Sequence, residues 1–220
     1  MKELFILSIF GIFILGCTDD PSKTEDQMSQ APTSIIEQIE VPFREHGYSQ
    51  YPSKVISSQT QFDKFLIEVS NGNGWNNKTD FLEKVQDERV DFKGYNLLFF
   101  RMTEGSGSIS LIPMRPTISS SKKEIFVKID RRVPNVGTAD MAYYAILYKV
   151  AKGVDNIHFD DGEQEVIVEN RESDMVVAKN CLAWFDGCND CAKRKNSETV
   201  CTERACLVYR PEDFRCTKWE

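Results

Sequence analysis

The chain has 220 residues, 41% of them hydrophobic and 28% charged, with a formal net charge of −7, two histidines and seven cysteines. That hydrophobic share is ordinary for a soluble fold, and the length suits one medium domain with an appendage or two small ones. The negative excess repels phosphate backbones, which argues against nucleic acid as a partner.

The amino terminus opens with Lys2 and then an apolar stretch from Leu4 to Leu15, interrupted only by Ser8 and Gly11. A bilayer-spanning helix needs roughly 20 apolar residues, so this shorter run reads as the hydrophobic core of a signal peptide. Ile14-Leu15-Gly16-Cys17 follows, and it resembles the lipobox of bacterial lipoproteins. The resemblance implies that residues 1–16 are removed and that Cys17 is acylated. An ordinary signal with a chance cysteine is the plainer alternative. Several acyl chains hold a protein firmly on a bilayer where one chain does not, so the lipid bilayer is the first expected partner. Thr18, being a residue other than Asp, implies by the same resemblance the outer membrane.

Residues 17–40 begin Cys-Thr-Asp-Asp-Pro-Ser-Lys-Thr-Glu-Asp, acidic and nearly free of aliphatics until Ile35-Ile36. Such composition buries too little surface to offset ordering entropy and predicts a disordered tether. About 20 flexible residues reach roughly 25 Å, enough to hold a folded body clear of a membrane.

A helix is predicted over Gln59–Ser70. Ser58 and Gln61 have capping-box spacing, and Phe62, Phe65, Leu66 and Val69 form one apolar stripe before Asn71-Gly72-Asn73-Gly74 ends it. A second helix is expected near Thr79 or Asp80, burying Phe81, Leu82 and Val85. From Tyr95 the pattern is strand-like. Tyr95–Met102 has apolar residues on both faces, and Ile125, Val127 and Ile129 alternate with Phe126 and Lys128. Met141–Ala151 is the longest run, and Asp160-Asp161-Gly162 joins Val154–Phe159 to Glu165–Glu169 in a tight hairpin. This order predicts an α+β fold over residues 41–178: one or two N-terminal helices packed on an antiparallel β-sheet or small barrel.

The stretch from Val55-Ile56-Ser57-Ser58 through Val90-Asp91-Phe92, Tyr95–Met102 and Gly105-Ser106-Gly107-Ser108-Ile109-Ser110 resembles the PrcB-type domain of bacterial lipoproteins. One such lipoprotein belongs to a surface protease complex. The resemblance covers residues 55–152 and departs at the turn, where Gly105-Ser106-Gly107-Ser108 stands in place of a Gly-Gly-aromatic sequence. It implies a non-catalytic accessory or binding domain, with a protein partner such as an exported protease or envelope complex.

Six cysteines fall within residues 179–220, after more than 160 residues with none. They are Cys181, Cys188, Cys191, Cys201, Cys206 and Cys216, an even number once Cys17 is acylated, and an exported chain would pair them as disulfides. The segment has few large apolar side chains, so cross-links of about 2–4 kcal/mol each would supply the stability its core lacks. Its Trp184-Phe185-Asp186-Gly187-Cys188-Asn189-Asp190-Cys191 core resembles a short module found at the ends of exported bacterial proteins, for which no activity transfers. Two other chemistries stay open. Cys188, Cys191, Cys201 and Cys206 have spacings that a zinc site could use, and Cys188 with Cys191 could form a redox dithiol.

Elsewhere the signals for chemistry are weak. His46 and His158 lack the spaced partners of metal sites and read as structural. Asp160, Asp161 and Glu163 fit no EF-hand loop, and no Gly-x-Ser-x-Gly nucleophile elbow occurs. The expectation is a non-enzymatic protein without cofactor or metal, whose outward-facing aromatics, such as Tyr144 and Tyr148, offer a binding surface.

Overall fold

A computed structural model describes residues 34–194, 198–204, 210 and 213–220. Strand β1 (Ile36–Ile39) leads through a 3-10 turn at His46–Gln50 to β2 (Lys54–Ile56), helix α1 (Gln59–Asn71) and helix α2 (Lys78–Asp87). Strands β3 (Tyr95–Glu104), β4 (Ser110–Pro113), β5 (Thr117–Ile118), β6 (Glu124–Arg132), β7 (Ala142–Ala151), β8 (Asn156–Asp160) and β9 (Glu165–Glu169) follow. The cysteine-rich segment adds β10 (Cys181–Phe185), β11 (Asp190–Lys193), β12 (Thr199–Cys201) and β13 (Arg215–Trp219).

β3 and β7 pair antiparallel along ten residues, from Tyr95↔Ala151 to Glu104↔Ala142. They form the centre of a sheet ordered β1-β7-β3-β2. Strand side chains alternate between faces, and here both faces are covered. Leu97, Phe99, Ala145 and Leu147 point to the helices, where they meet Phe62, Phe65, Val69, Phe81 and Val85. Leu98, Phe100, Tyr144, Ile146 and Tyr148 point to a second sheet, where they meet Ile125, Val127, Ile157, Phe159 and Val168. The result is three layers: helices, central sheet, outer sheet. Each fully buried aliphatic or aromatic side chain contributes roughly 2 kcal/mol of hydrophobic stabilisation.

The helices form as their sequence dictates. Ser58 Oγ accepts the Gln61 amide at the start of α1, and Gln61 Oε1 takes the Ser57 amide in return. α2 is capped from a distance. The buried Glu45 carboxylate accepts the Asn76 and Asn77 amides at 2.8 and 3.1 Å, where the helix dipole favours a negative charge.

The outer sheet differs from the expected single antiparallel sheet or barrel. β4 and β5 pair in succession with one edge of β6, kept in line by the Met114 amide donating to Lys128 O. β8 lies on the other edge of β6 and runs parallel to it, because the intervening β7 is placed in the central sheet and returns the chain in the same direction. β9 then turns back antiparallel through Gly162, whose φ of 85° favours glycine. The strands therefore divide between separate sheets.

Ile36–Ile39, assigned by composition to the tether, are a strand whose Ile36 faces Val150 and Ile39 faces Leu147. Ile39 is buried, and that apolar contact outweighs the polar character averaged over residues 17–40. Residues 17–33 lie outside the described part.

The cysteine-rich strands form a third sheet, ordered β12-β11-β10-β13. It joins the body at β9: Lys179 N donates to Ile167 O, Asn180 Nδ2 donates to Glu165 O, and Val166 packs against both cores.

Phe100 lies flat on Phe159 between the two large sheets, with ring centroids 3.8 Å apart and 6° between planes. Replacing Phe159 by Ala should cost about 3–5 kcal/mol in urea unfolding. Phe126, on the outer face of β6, should cost less than about 1 kcal/mol when changed to Ala.

Candidate functional site

The cysteines resolve first. Cys181 is bonded to Cys216, linking β10 to β13, and Cys191 is bonded to Cys201, its direct cross-strand neighbour between β11 and β12. Cys188 is also disulfide-bonded. Cys206 and Cys17 lie outside the described residues. These bonds bear on both alternative chemistries. A disulfide sulfur offers no thiolate, so Cys188, Cys191 and Cys201 in this state can neither hold zinc nor act as a dithiol. Asp186 stands within 4.8 Å of the Cys191 and Cys201 sulfurs. Its Oδ1 already accepts the Cys188 and Asn189 amides at 2.8 and 2.6 Å, an Asx turn that shapes the loop between β10 and β11.

Tyr144 and Tyr148 correct the expected binding surface, since both are buried between the two large sheets. Tyr144 donates its hydroxyl to Ile109 O at 2.5 Å, and burial pushes the Tyr148 hydroxyl up to about 12. An alternating strand at the centre of three layers has no outward face.

His46 is exposed and meets Tyr143 edge-on. His158 lies on the outer face of β8 under Phe126, with Nε2 2.7 Å from Glu124 and Nδ1 2.9 Å from Glu165. Its partners approach opposite sides of the ring, so they cannot converge on one ion. Hydrogen bonds from His158 and then Asn156 hold the Glu124 carboxyl below its ordinary range. Asp160 and Asp161 spend their carboxylates on amides of the β8–β9 turn.

The Gly105–Ser108 connection is more than a loose hairpin. It is stitched to the segment 133–141 that joins β6 to β7. The Gly107 amide donates to Asp140 Oδ1 at 3.1 Å, and the Thr138 amide donates to Ser108 Oγ at 3.0 Å. Arg44 Nη1 donates to Gly107 O at 2.8 Å and its other nitrogen lies 3.9 Å from Asp140. Gly107 permits this approach, because a Cβ there would collide with the Asp140 carboxylate. Bonds from Thr138, then from Gly107, and the nearby Arg44 charge hold Asp140 below the usual carboxylate range. The contribution of the Asp140 carboxylate to the stitch is therefore complete above that range and weakens as pH falls through the depressed value, while the Thr138–Ser108 and Arg44–Gly107 bonds persist.

This stitched end presents apolar side chains to solvent. Val136 is 84% exposed, Val133 58% and Met141 50%. Beside them a cleft of about 400 Å³ is lined by Arg44, His46, Asn76, Asp140 and Met141. Below, Arg131 grips Glu104 with two bonds of 2.8 and 3.0 Å and reaches Glu163 at 3.0 Å. Arg131 and Glu104 are 17% and 11% exposed, and they tie the outer sheet to the end of β3. Sequence reasoning missed Arg44, Val133, Val136, Asp140 and Met141. The available signal was Val133-Pro134-Asn135-Val136-Gly137, a loop-forming run that keeps two valines out of any strand.

No family model, curated protein or solved structure matches the chain.

Two outcomes test this geometry. Alkylation of the unreduced protein should modify none of Cys181, Cys188, Cys191, Cys201 and Cys216, and label at any of them would contradict the pairing. Gly107→Ala should open the 133–141 segment to limited proteolysis while lowering global stability by less than about 1 kcal/mol, because the bonds it breaks are solvent-exposed.

Proposed function

We propose that the protein is a non-enzymatic lipoprotein of the bacterial cell envelope, anchored through Cys17, that binds a protein partner through the stitched end of the sandwich. The partner class is an exported protease or another envelope complex, as the PrcB-type resemblance implies, and the outer membrane is the proposed location. The observation that carries the binding reading is the trio Val133, Val136 and Met141, exposed on a segment held by hydrogen bonds. Apolar side chains on an ordered loop lose little entropy when covered, and they would supply the apolar centre of an interface. Arg44 and Asp140 beside them offer a polar rim.

Export finds support in the paired cysteines, which belong to an oxidising compartment. The same pairing weakens the metal or thiol-redox alternative for the C-terminal segment.

Labelled palmitate should enter the wild-type protein and be absent from Cys17→Ser. Capture from an envelope extract should recover a partner with wild type, and Val136→Asp with Met141→Asp should lower that recovery at least about ten-fold. Equal recovery with both proteins would remove this end from the interface.

A further inference from the structure

The end of the body opposite the stitched loops has its own chemistry. β3 and β7 span about 30 Å between the two ends at ~3.3 Å per residue. The described chain joins at this second end, where Ser34 N meets the Tyr95 hydroxyl and Ile35 O accepts the Ala151 amide. Everything that precedes Ser34, including Cys17, is attached here.

Four exposed lysines gather at the same place. Lys152 donates its amide to Gly94 O, directly after Lys93. Lys122 and Lys123 line a hollow of about 410 Å³ with Ile35, Ala151 and Val154. Among the described residues Lys93, Lys122 and Lys152 form no ion pair, whereas Lys123 pairs with Asp155 at 3.4 Å. Asp91 is the other acid in these turns, and its carboxylate accepts the Lys93 amide. Acids border the cluster as well: Glu172 accepts the Ser57 hydroxyl beside the Lys152 ammonium, Glu124 follows Lys123, and Glu37 and Glu88 hold Lys149. In a chain of net charge −7 the four lysines form a local basic cluster at the point where its amino-terminal segment is attached.

We propose that this lysine end, around Lys93, Lys122, Lys123 and Lys152, docks on an anionic phospholipid surface. The cations meet headgroup phosphates, the apolar floor of Ile35, Ala151 and Val154 sits at the headgroup level, and the stitched end points away. A tether attached here lets the docked body sit flat against the bilayer, with Val136 presented to the opposite side. The proposal deepens the envelope reading, since the anchor of that reading brings the lysines to the membrane.

The test uses the mature chain from residue 17 carrying Cys17→Ser, so no acyl group contributes. It should float at low salt with vesicles of phosphatidylcholine and phosphatidylglycerol, and remain unbound with phosphatidylcholine alone. Changing Lys93, Lys122 and Lys152 together to Gln should weaken partition about 100-fold, from roughly five-fold per lysine. The same change at exposed Lys64, Lys84 and Lys218, on other faces, should leave binding near wild type. All six lysines are exposed, so both triple variants should keep the wild-type unfolding midpoint. Equal flotation with both vesicle types, or no loss in the Lys93, Lys122, Lys152 variant, would overturn the proposal. An equal loss in the control variant would also overturn it, in favour of an effect of net charge. Palmitate labelling reads the anchor independently, so either idea can fail while the other stands.

Discussion

The antiparallel pairing of β3 with β7 is the constraint on which the rest of the molecule depends. Ten residues from each strand face one another without a break, and layers cover both sides of the pair. A strand in that position cannot alternate polar and apolar residues, which explains Leu97-Leu98-Phe99-Phe100 and Ala145-Ile146-Leu147-Tyr148. Helix packing fixes one set of side chains and sheet packing the other. Moving the register by one residue would exchange the two sets, sending Phe99 toward Phe159 and Phe100 toward Phe65. The two cores therefore hold the central pair in place from opposite sides. They also fix the distance between its two ends.

Some of this could be read from the chain alone. The stripe of Phe62, Phe65, Leu66 and Val69 with Ser58 before it locates α1 within a residue, because helix period and cap are local signals. β3, β6, β7 and the β8–β9 hairpin follow equally local cues. β1 and β2 were hidden because four and three residues are too short to show a period, and their stability comes from β7 and β3. The parallel placement of β8 beside β6 was also out of reach. It depends on which sheet accepts β7, and no residue in β6 or β8 records that choice. Tyr144 and Tyr148 show the same limit, since alternation gives two faces without saying that both are covered.

The candidate site was less legible than the fold. Cysteine count and compartment argued for disulfides, yet the bonds Cys181–Cys216 and Cys191–Cys201 follow strand adjacency, which spacing does not encode. Arg44, Gly107 and Asp140 come from three separate segments and acquire a common role only when β3 and β7 bring their loops together. What sequence could show was a loop with valines in it. Solvent exposure of those valines is a property of the assembled end, as is the clustering of lysines at the other. The two ends are chemically distinct because the central strands carry their connecting loops to opposite poles.

β1 has one more consequence. It is an edge strand that enters at the lysine end and runs toward the stitched loops, with its ladder to β7 set across its length. A pull on the residues before Ser34, directed away from the body, acts along the strand axis and loads those rungs side by side in shear instead of opening them one at a time. The point of attachment is thus oriented to carry mechanical tension.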